Sequence, residues 1–420
     1  MDKIKIQGGR PLRGKVEVSG AKNAALPILI ASLLSEERCT FRKVPALQDI
    51  RTTLKLLNHL GVKTEVNWDQ NTVSLQAAQV ESVEAPYDLV RTMRASVVVL
   101  GPLLARFGRA KVSMPGGCAI GARPINYHLA GFERLGAQVE LENGYVVVSA
   151  KKLRGNRVAF EFPSVGATEN LMMAAVLAQG ETLLENCARE PEIVDLANTL
   201  IAMGAEIEGA GTEVIRIQGK SNLKGCVYDI MGDRIEAGTF LCAAFATQGE
   251  VEVQGVCPDF LESALIKFEE AGASIDREPD GVILKSTGRP KSTDITTLPY
   301  PGFPTDMQAQ FMAAMTVADG ASLITETIFE NRFMHVSELV RLGADITVRG
   351  NTALVRGASS LQGAPLMATD LRASASLVIA GLSAQGESEI SRIYHLDRGY
   401  ERMEEKLRGL GAEIQRVSGV

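Results

Sequence analysis

At positions 115–124 the chain reads PGGCAIGARP. Glycines at 116, 117 and 121 leave backbone N–H groups able to wrap a phosphate. Arg123 adds a guanidinium that grips such an oxyanion with two parallel hydrogen bonds. A cysteine beside that positive charge has its thiol pKa lowered and its reactivity raised. Two readings of Cys118 stay open on these residues: a reagent held over an anion, or a small apolar side chain facing inward from a glycine hairpin. GCAIGA is not a dinucleotide fingerprint, because the phased strand and the downstream acid are missing.

Five further stretches carry groups of the same kind. In SGAKNAALPILIASLL (19–34), Lys22 and Asn23 stand in the opening turn of an apolar helix. A lysine at that positive helix end is electrostatically misplaced unless an anion lies nearby, or unless it simply snorkels to solvent. In YPGFPTDMQAQFMAAM (300–315), Asp306 is either a capping aspartate or a base for a hydroxyl. The segments VRTMRASVVVLG (90–101) and ATDLRASASLVIAG (368–381) each place an arginine, Arg94 or Arg372, before Ala-Ser and an apolar helix. Finally, DRGYERMEEKLRGLGAEI (397–414) puts Arg398 at the start of a charged amphipathic helix.

These groups are spread over the whole chain, so a repeated scaffold has to bring them together. The scaffold is visible in LGVKTEV, LGAQVEL, MGAEIEG, AGASIDR, LGADITV and LGAEIQR, which start at 60, 135, 203, 271, 342 and 410. Each ends an apolar-periodic helix at a glycine and opens an alternating strand. The glycines, 61, 136, 204, 272, 343 and 411, are spaced by 75, 68, 68, 71 and 68 residues. A second echo, in AQGETLLEN, TQGEVEVQG, ADGASLITE and AQGESEISR, stops another helix at glycine within the unit. The unit is α/β, ordered strand–helix–strand–helix–strand–strand, and too small to bury both helices alone. Three units per lobe predict two similar lobes with helices inside and sheets outside. ENLMMAAVLA (169–178), apolar nearly all round, belongs inside. Two lobes also predict a ligand cleft between them.

Composition narrows the function classes. The 420 residues carry a net charge of −6, with no basic stripe, which speaks against nucleic acid or an anionic membrane as partner. The opening MDKIKIQGGR has no segment of signal-peptide character, and no apolar run approaches the roughly 20 residues of a membrane span. Six scattered cysteines without a C-x-x-C pair fit reduced thiols, and the four histidines share no metal-ligand spacing. The expectation is a soluble, cytoplasmic protein that uses no metal.

Taken in order, Lys22-Asn23, PGGCAIGARP, FPTDMQAQF, ETIFENRFMHV (326–336), TDLRASASLV and DRGYERMEEKL span the chain. This order resembles the UDP-N-acetylglucosamine enolpyruvyl transferases of bacterial peptidoglycan synthesis, and the cysteine loop is its specific part. The resemblance implies an inside-out α/β barrel of two lobes, each of three βαβαββ repeats. The C-terminal lobe would hold 1–20 and 232–420, and the other lobe 21–231 with the cysteine loop at 112–124.

The implied substrates are phosphoenolpyruvate and UDP-N-acetylglucosamine, with no cofactor. Lys22, Arg123 and Arg398 would meet the phosphoenolpyruvate charge. Cys118 would be the acid over its methylene and the site of a covalent three-carbon adduct, with Asp306 as base. Asn23, Arg123, Pro124, Ile125, Asn126, Tyr127, Ser164, Val165 and Gly166 would line the nucleotide sugar, with Asp306 and Ile328 at its sugar end. Arg94 and Arg372 would be further anion or closure residues. The sister enzymes acting on shikimate 3-phosphate share the six-unit fold but lack the loop cysteine. A silent nucleotide-sugar sensor is at odds with the presence of Lys22, Cys118, Asp306 and Arg398 together.

Overall fold

The computed structural model describes residues 2–91, 93–114, 125–286 and 288–418. One repeat shows how the units are built. Strand Arg157–Ala159 leads into helix Val165–Ala175, strand Glu181–Glu185, helix Pro191–Ala202 and the hairpin Glu206–Glu208/Val214–Gln218. The first two strands run parallel, and the hairpin adds to the second in antiparallel fashion. Period-two alternation decides which side faces in: in VIRIQ, Ile215 and Ile217 are buried while Val214 and Arg216 are exposed. Among the described residues there are six four-stranded sheets of this one topology.

The helix ends are as regular as the glycine spacing predicts. All six unit glycines lie at φ between +90° and +99°. At each, two bonds close the helix: Gly61 N–H to Asn58 O and Val62 N–H to Leu57 O in the first unit, Gly411 N–H to Arg408 O and Ala412 N–H to Leu407 O in the last. A Cβ would oppose that left-handed turn, so glycine is selected by backbone geometry. The second echo departs once. At TQGEV the left-handed residue is Gln248, at φ 54°, rather than Gly249. Gly249 is needed for a different reason, since a Cβ there would stand 2.1 Å from the Leu12 carbonyl oxygen.

The chain separates into two compact units, one holding residues 2–19 and 232–418 and the other 20–114 and 125–231. Each unit is closed by a strand that comes from far along the chain. Val227–Asp229 lies parallel to Arg38–Arg42 in one unit, and Arg13–Glu17 lies parallel to Glu250–Gln254 in the other. Lys3–Gln7 inserts between Glu387–Ser391 and Glu413–Val417. Each unit has its own core around interior helices. Helix Arg234–Ala246 is buried along its whole length, as expected of a segment without a polar face. No helix among the described residues is long and apolar enough to cross a membrane.

Candidate active site

In the unit holding 232–418, Phe303 packs edge-on against Phe311 at 5.4 Å and anchors the approach to an interior helix. One tight turn, Thr305–Met307, then runs into helix Gln308–Met315. Asp306 sits in that turn, and the residues at the two cap positions, Pro304 and Met307, make no side-chain cap bond. The Asp306 carboxylate is clamped by two guanidiniums. Arg332 Nη2 donates to Oδ1 and Arg372 Nη2 donates to Oδ2, each at 2.7 Å. Burial alone would raise the Asp306 pKa, but the charges and hydrogen bonds of Arg372 and Arg332 override it and hold the carboxyl well below its usual range. Both arginines are almost fully buried, at 4% and 6% exposed, while the Asp306 side chain keeps 27%. The ionised oxygens therefore form the reachable end of a buried cationic clamp.

Behind the clamp, Tyr400 joins three interior helices. Its hydroxyl accepts from Arg372 Nη1 and from Gln310 Nε2, both at 3.1 Å. Thr239 spends its own proton on the Ile235 carbonyl at 2.7 Å, so the phenol donates to the Thr239 oxygen at 2.9 Å. Gln310 also donates to the Asp306 carbonyl at 2.7 Å. Each side of the Asp306 turn is thus tied to the unit core.

In the other unit, helix Lys22–Ala31 begins at the lysine itself, without a side-chain cap. Lys22 is 8% exposed, and its ammonium donates to the Asp49 carboxylate at 3.2 Å. The anion that the helix end calls for includes one supplied by the chain. Asn23 is half-buried in the same turn. Arg94, half-buried, opens the turn Arg94–Val99.

Helix Asn126–Arg134 follows a buried Ile125, with Asn126 exposed and Tyr127 half-buried. It carries His128, whose Nδ1 accepts from Asn170 at 2.9 Å. The second amide proton of Asn170 goes to Val97 O, so the His128 proton lies on Nε2. Burial first, then the Arg94 charge, lowers the His128 pKa to about 4, and the ring is neutral at neutral pH. That ring lies against Gly166 at the start of helix Val165–Ala175, where a Cβ would make ordinary contact with its Cε1 at 3.4 Å. Ser164 caps the helix through Ala167 N–H at 3.4 Å, and Ser164, Val165 and Gly166 are all half-buried. That arrangement offers backbone N–H groups to an anion.

The family model of EPSP synthase (3-phosphoshikimate 1-carboxyvinyltransferase) matches residues 6–407. The UDP-N-acetylglucosamine 1-carboxyvinyltransferase of Trichlorobacter lovleyi is 60% identical over 419 residues, all of both chains. That of Geobacter metallireducens is 60% identical over 417 residues, covering 99% of this chain and all of its own. The chain belongs to the UDP-N-acetylglucosamine 1-carboxyvinyltransferase family. Among solved structures, the enolpyruvyl transferase NikO from Streptomyces tendae superposes with a TM-score of 0.90 at 24% identity, over 100% of this chain and 99% of its own. EPSP synthase from Acinetobacter baumannii does so at 0.77 and 18%, with both chains fully covered. Both share the fold, with its six four-stranded sheets.

Within this carboxyvinyltransferase fold, some expected site residues gain a defined setting and others do not. Cys118, Arg123 and Pro124 lie outside the described residues. Ile328 is half-buried, and its N–H donates to Glu326 Oε1 at 2.8 Å. Arg398 corrects the expectation drawn from the sequence. It ends the short helix Ile393–Arg398, and the charged α-helix starts only at Met403. At the break, Gly399 packs where a Cβ would be 2.7 Å from the distant Leu371 side chain, and Arg402 turns left-handed at φ 47°. Sequence reasoning passed over Asp49, Arg332, Tyr400 and His128. Arg332 and Tyr400 had a signal, since they lie inside ETIFENRFMHV and DRGYERMEEKL; Asp49 and His128 are brought in only by packing between distant segments.

Proposed function

We infer that this chain transfers the enolpyruvyl group of phosphoenolpyruvate to the 3′-hydroxyl of UDP-N-acetylglucosamine, releasing phosphate. The step belongs to bacterial peptidoglycan synthesis. The observation that carries this is the 60% identity over entire chains to 1-carboxyvinyltransferases acting on that nucleotide sugar. The setting of Asp306 supports the residue-level reading. The methylene carbon of phosphoenolpyruvate takes a proton, and the hydroxyl oxygen bonds to the adjacent carbon and sheds its own proton. Loss of phosphate and of a methyl proton then restores the double bond.

A carboxylate with a depressed pKa is a poor base toward a free hydroxyl. It is a suitable acceptor once that oxygen has bonded to carbon, because the oxygen is then strongly acidic. Asp306 fits this late proton removal, and Cys118 is our assignment for the proton donor and for a covalent adduct. Lys22, Arg123 and Arg398 would balance the phosphate and carboxylate charge. Asn23, Arg94 and the segments 123–127 and 164–166 are assigned to the nucleotide sugar, and Ile328 to its sugar end. Arg372 acts through Asp306. The proposed reaction uses no organic cofactor or metal, and we place it in the cytoplasm.

The test is phosphate release with each substrate alone and with both, alongside mass detection of the enolpyruvyl nucleotide sugar. Phosphate only when both are present, with that product, is the expected result. Binding of the nucleotide sugar without turnover would favour the sensor reading instead.

A further inference from the structure

We propose that Glu326 is a positioning residue for the transfer, one buried carboxylate that fixes both the Asp306 turn and the backbone at Ile328. This rests on the reading of Asp306 and Ile328 as the groups at the sugar end. Glu326 is 3% exposed and follows strand Ala321–Thr325 directly. Its Oε1 accepts from Thr297 Oγ1 at 2.8 Å, Ile328 N–H at 2.8 Å and Phe329 N–H at 3.2 Å. Its Oε2 accepts from Thr305 Oγ1 at 2.9 Å. Both oxygens of the Glu326 side chain are thus occupied as acceptors, by four donors in all.

The bond to Thr305 sets the direction of everything beyond it. The Thr305 proton goes to Glu326, which leaves a lone pair for Arg332 Nη1 at 2.8 Å. The other nitrogen of that guanidinium holds Asp306 Oδ1 at 2.7 Å. Glu326, Thr305, Arg332 and Asp306 therefore form one line of hydrogen bonds in which each polarity follows from the first.

The repeats show that the fold itself does not require a carboxylate there. The residues just after the corresponding strands are Lys43, Met114, Asn186, Gly255 and Arg392. None is acidic, and all but Met114 take a left-handed conformation that Glu326 does not. Five units manage the same strand end without a buried charge, whose desolvation is costly unless several donors meet it. The sixth unit, the one carrying Asp306, has the charge and the donors.

The test is a small set of variants with kcat, KM for UDP-N-acetylglucosamine, calorimetric binding of that nucleotide sugar and thermal unfolding. Glu326→Gln keeps an oxygen for Ile328 and Phe329 but turns an amide toward the Thr305 hydroxyl. Thr305→Val removes the same link at nearly constant shape. Each should lower kcat about tenfold, with KM moving less than about threefold. The double variant should be no worse than the poorer single one, within about twofold, because both cut one line. Glu326→Leu removes the acceptors at Ile328 as well and should raise KM about tenfold besides.

Glu326→Gln with wild-type kcat, or losses that multiply in the double variant, would overturn the proposal. If Glu326→Gln does not fold, Thr305→Val alone decides: unchanged kcat there also sinks it. A wild-type protein that releases no phosphate from the two substrates together would instead sink the functional reading, so the two failures are distinguishable.

Discussion

The stretches FPSVGAT (162–168) and FPTDMQA (303–309) lead into interior helices of different units, and they have been given opposite chemistry. In the first, the Ser164 hydroxyl caps its own helix and the next two residues are neutral and half-buried. In the second, the Thr305 hydroxyl is drawn away by Glu326 and Arg332, and Asp306 follows between two arginines. The neutral start leaves backbone N–H groups and the positive end of a helix, which suits a diphosphate. The charged start leaves only carboxylate oxygens, which suits a hydroxyl. On the function proposed above, one repeated scaffold would serve two ends of one substrate through a few changed residues at a helix start.

Buried carboxylates of the two units differ in the same sense. Asp306 has two cations and is held ionised, whereas Asp195 receives only the Tyr228 hydroxyl at 2.7 Å and Met231 N–H at 3.2 Å. Burial, with Glu192 nearby adding repulsion, raises the Asp195 pKa to about 6. Desolvation pushes both carboxyls upward, and the net shifts are opposite because only Asp306 has counter-charge beside it.

Asp306→Asn is the strongest way to break this contrast. The amide would set a donor against one of the two guanidiniums and remove the proton acceptor. Turnover should fall about 10²–10⁴-fold, while nucleotide-sugar affinity moves less than about tenfold. Near-normal turnover in this variant would end the assignment of Asp306 to proton removal. Cys118→Ser, at a position outside the described residues, should behave alike: impaired turnover with the sugar nucleotide still bound.

Asp195 offers the next largest effect, on stability rather than turnover. Its folded pKa of about 6 lies above the ordinary 3.8, so its contribution is present in full below about pH 4 and is lost as pH rises through 6. Wild type should therefore lose about 3 kcal/mol relative to Asp195→Asn between pH 4 and pH 8. Denaturant unfolding of both proteins across that range measures the difference. A flat difference would mean that Asp195 is as well compensated as Asp306.

What the sequence revealed and what it concealed follow from range. The six unit glycines were legible because a helix that must end in a left-handed turn selects glycine locally, and all six take that turn. Lys22 was legible as a charge out of place, but Asp49 was not, since nothing local marks one acid of the next helix as its partner. Asp306 stood out by type, yet its clamp draws on residues 26 and 66 positions further on. Arg398 was misplaced because the charged run reads as one helix, and the break at Gly399 depends on contact with Leu371. Gln248 took the turn that glycine was expected to take because Gly249 was already committed to close contact with Leu12.

Tyr400→Phe sharpens the comparison more gently. It deletes one oxygen, leaving Arg372 Nη1 and Gln310 without that acceptor while the Asp306–Arg372 pair remains. Stability should fall by about 1–2 kcal/mol, and kcat should drop more than KM rises, because the arginine that aims Asp306 is less constrained. Equal stability and unchanged kcat would show that the clamp needs no support from the core.

The smallest effect belongs to the neutral start. Ser164→Ala removes a single cap whose bond to Ala167 N–H is long, at 3.4 Å. Loss of such a cap costs about 0.5–1 kcal/mol of stability. Its functional signature should be the mirror image of the changes around Asp306. If the altered helix start holds the diphosphate as proposed, KM for UDP-N-acetylglucosamine should rise about two- to fivefold with kcat unchanged. Titration of UDP alone against wild type and variant isolates that end of the ligand, since UDP has the diphosphate without the sugar. The same weakening for UDP as for the whole nucleotide sugar would assign the 164–166 segment to the diphosphate. A loss seen with the sugar nucleotide but not with UDP would move that segment to the sugar, and the division of labour between the two helix starts would fail.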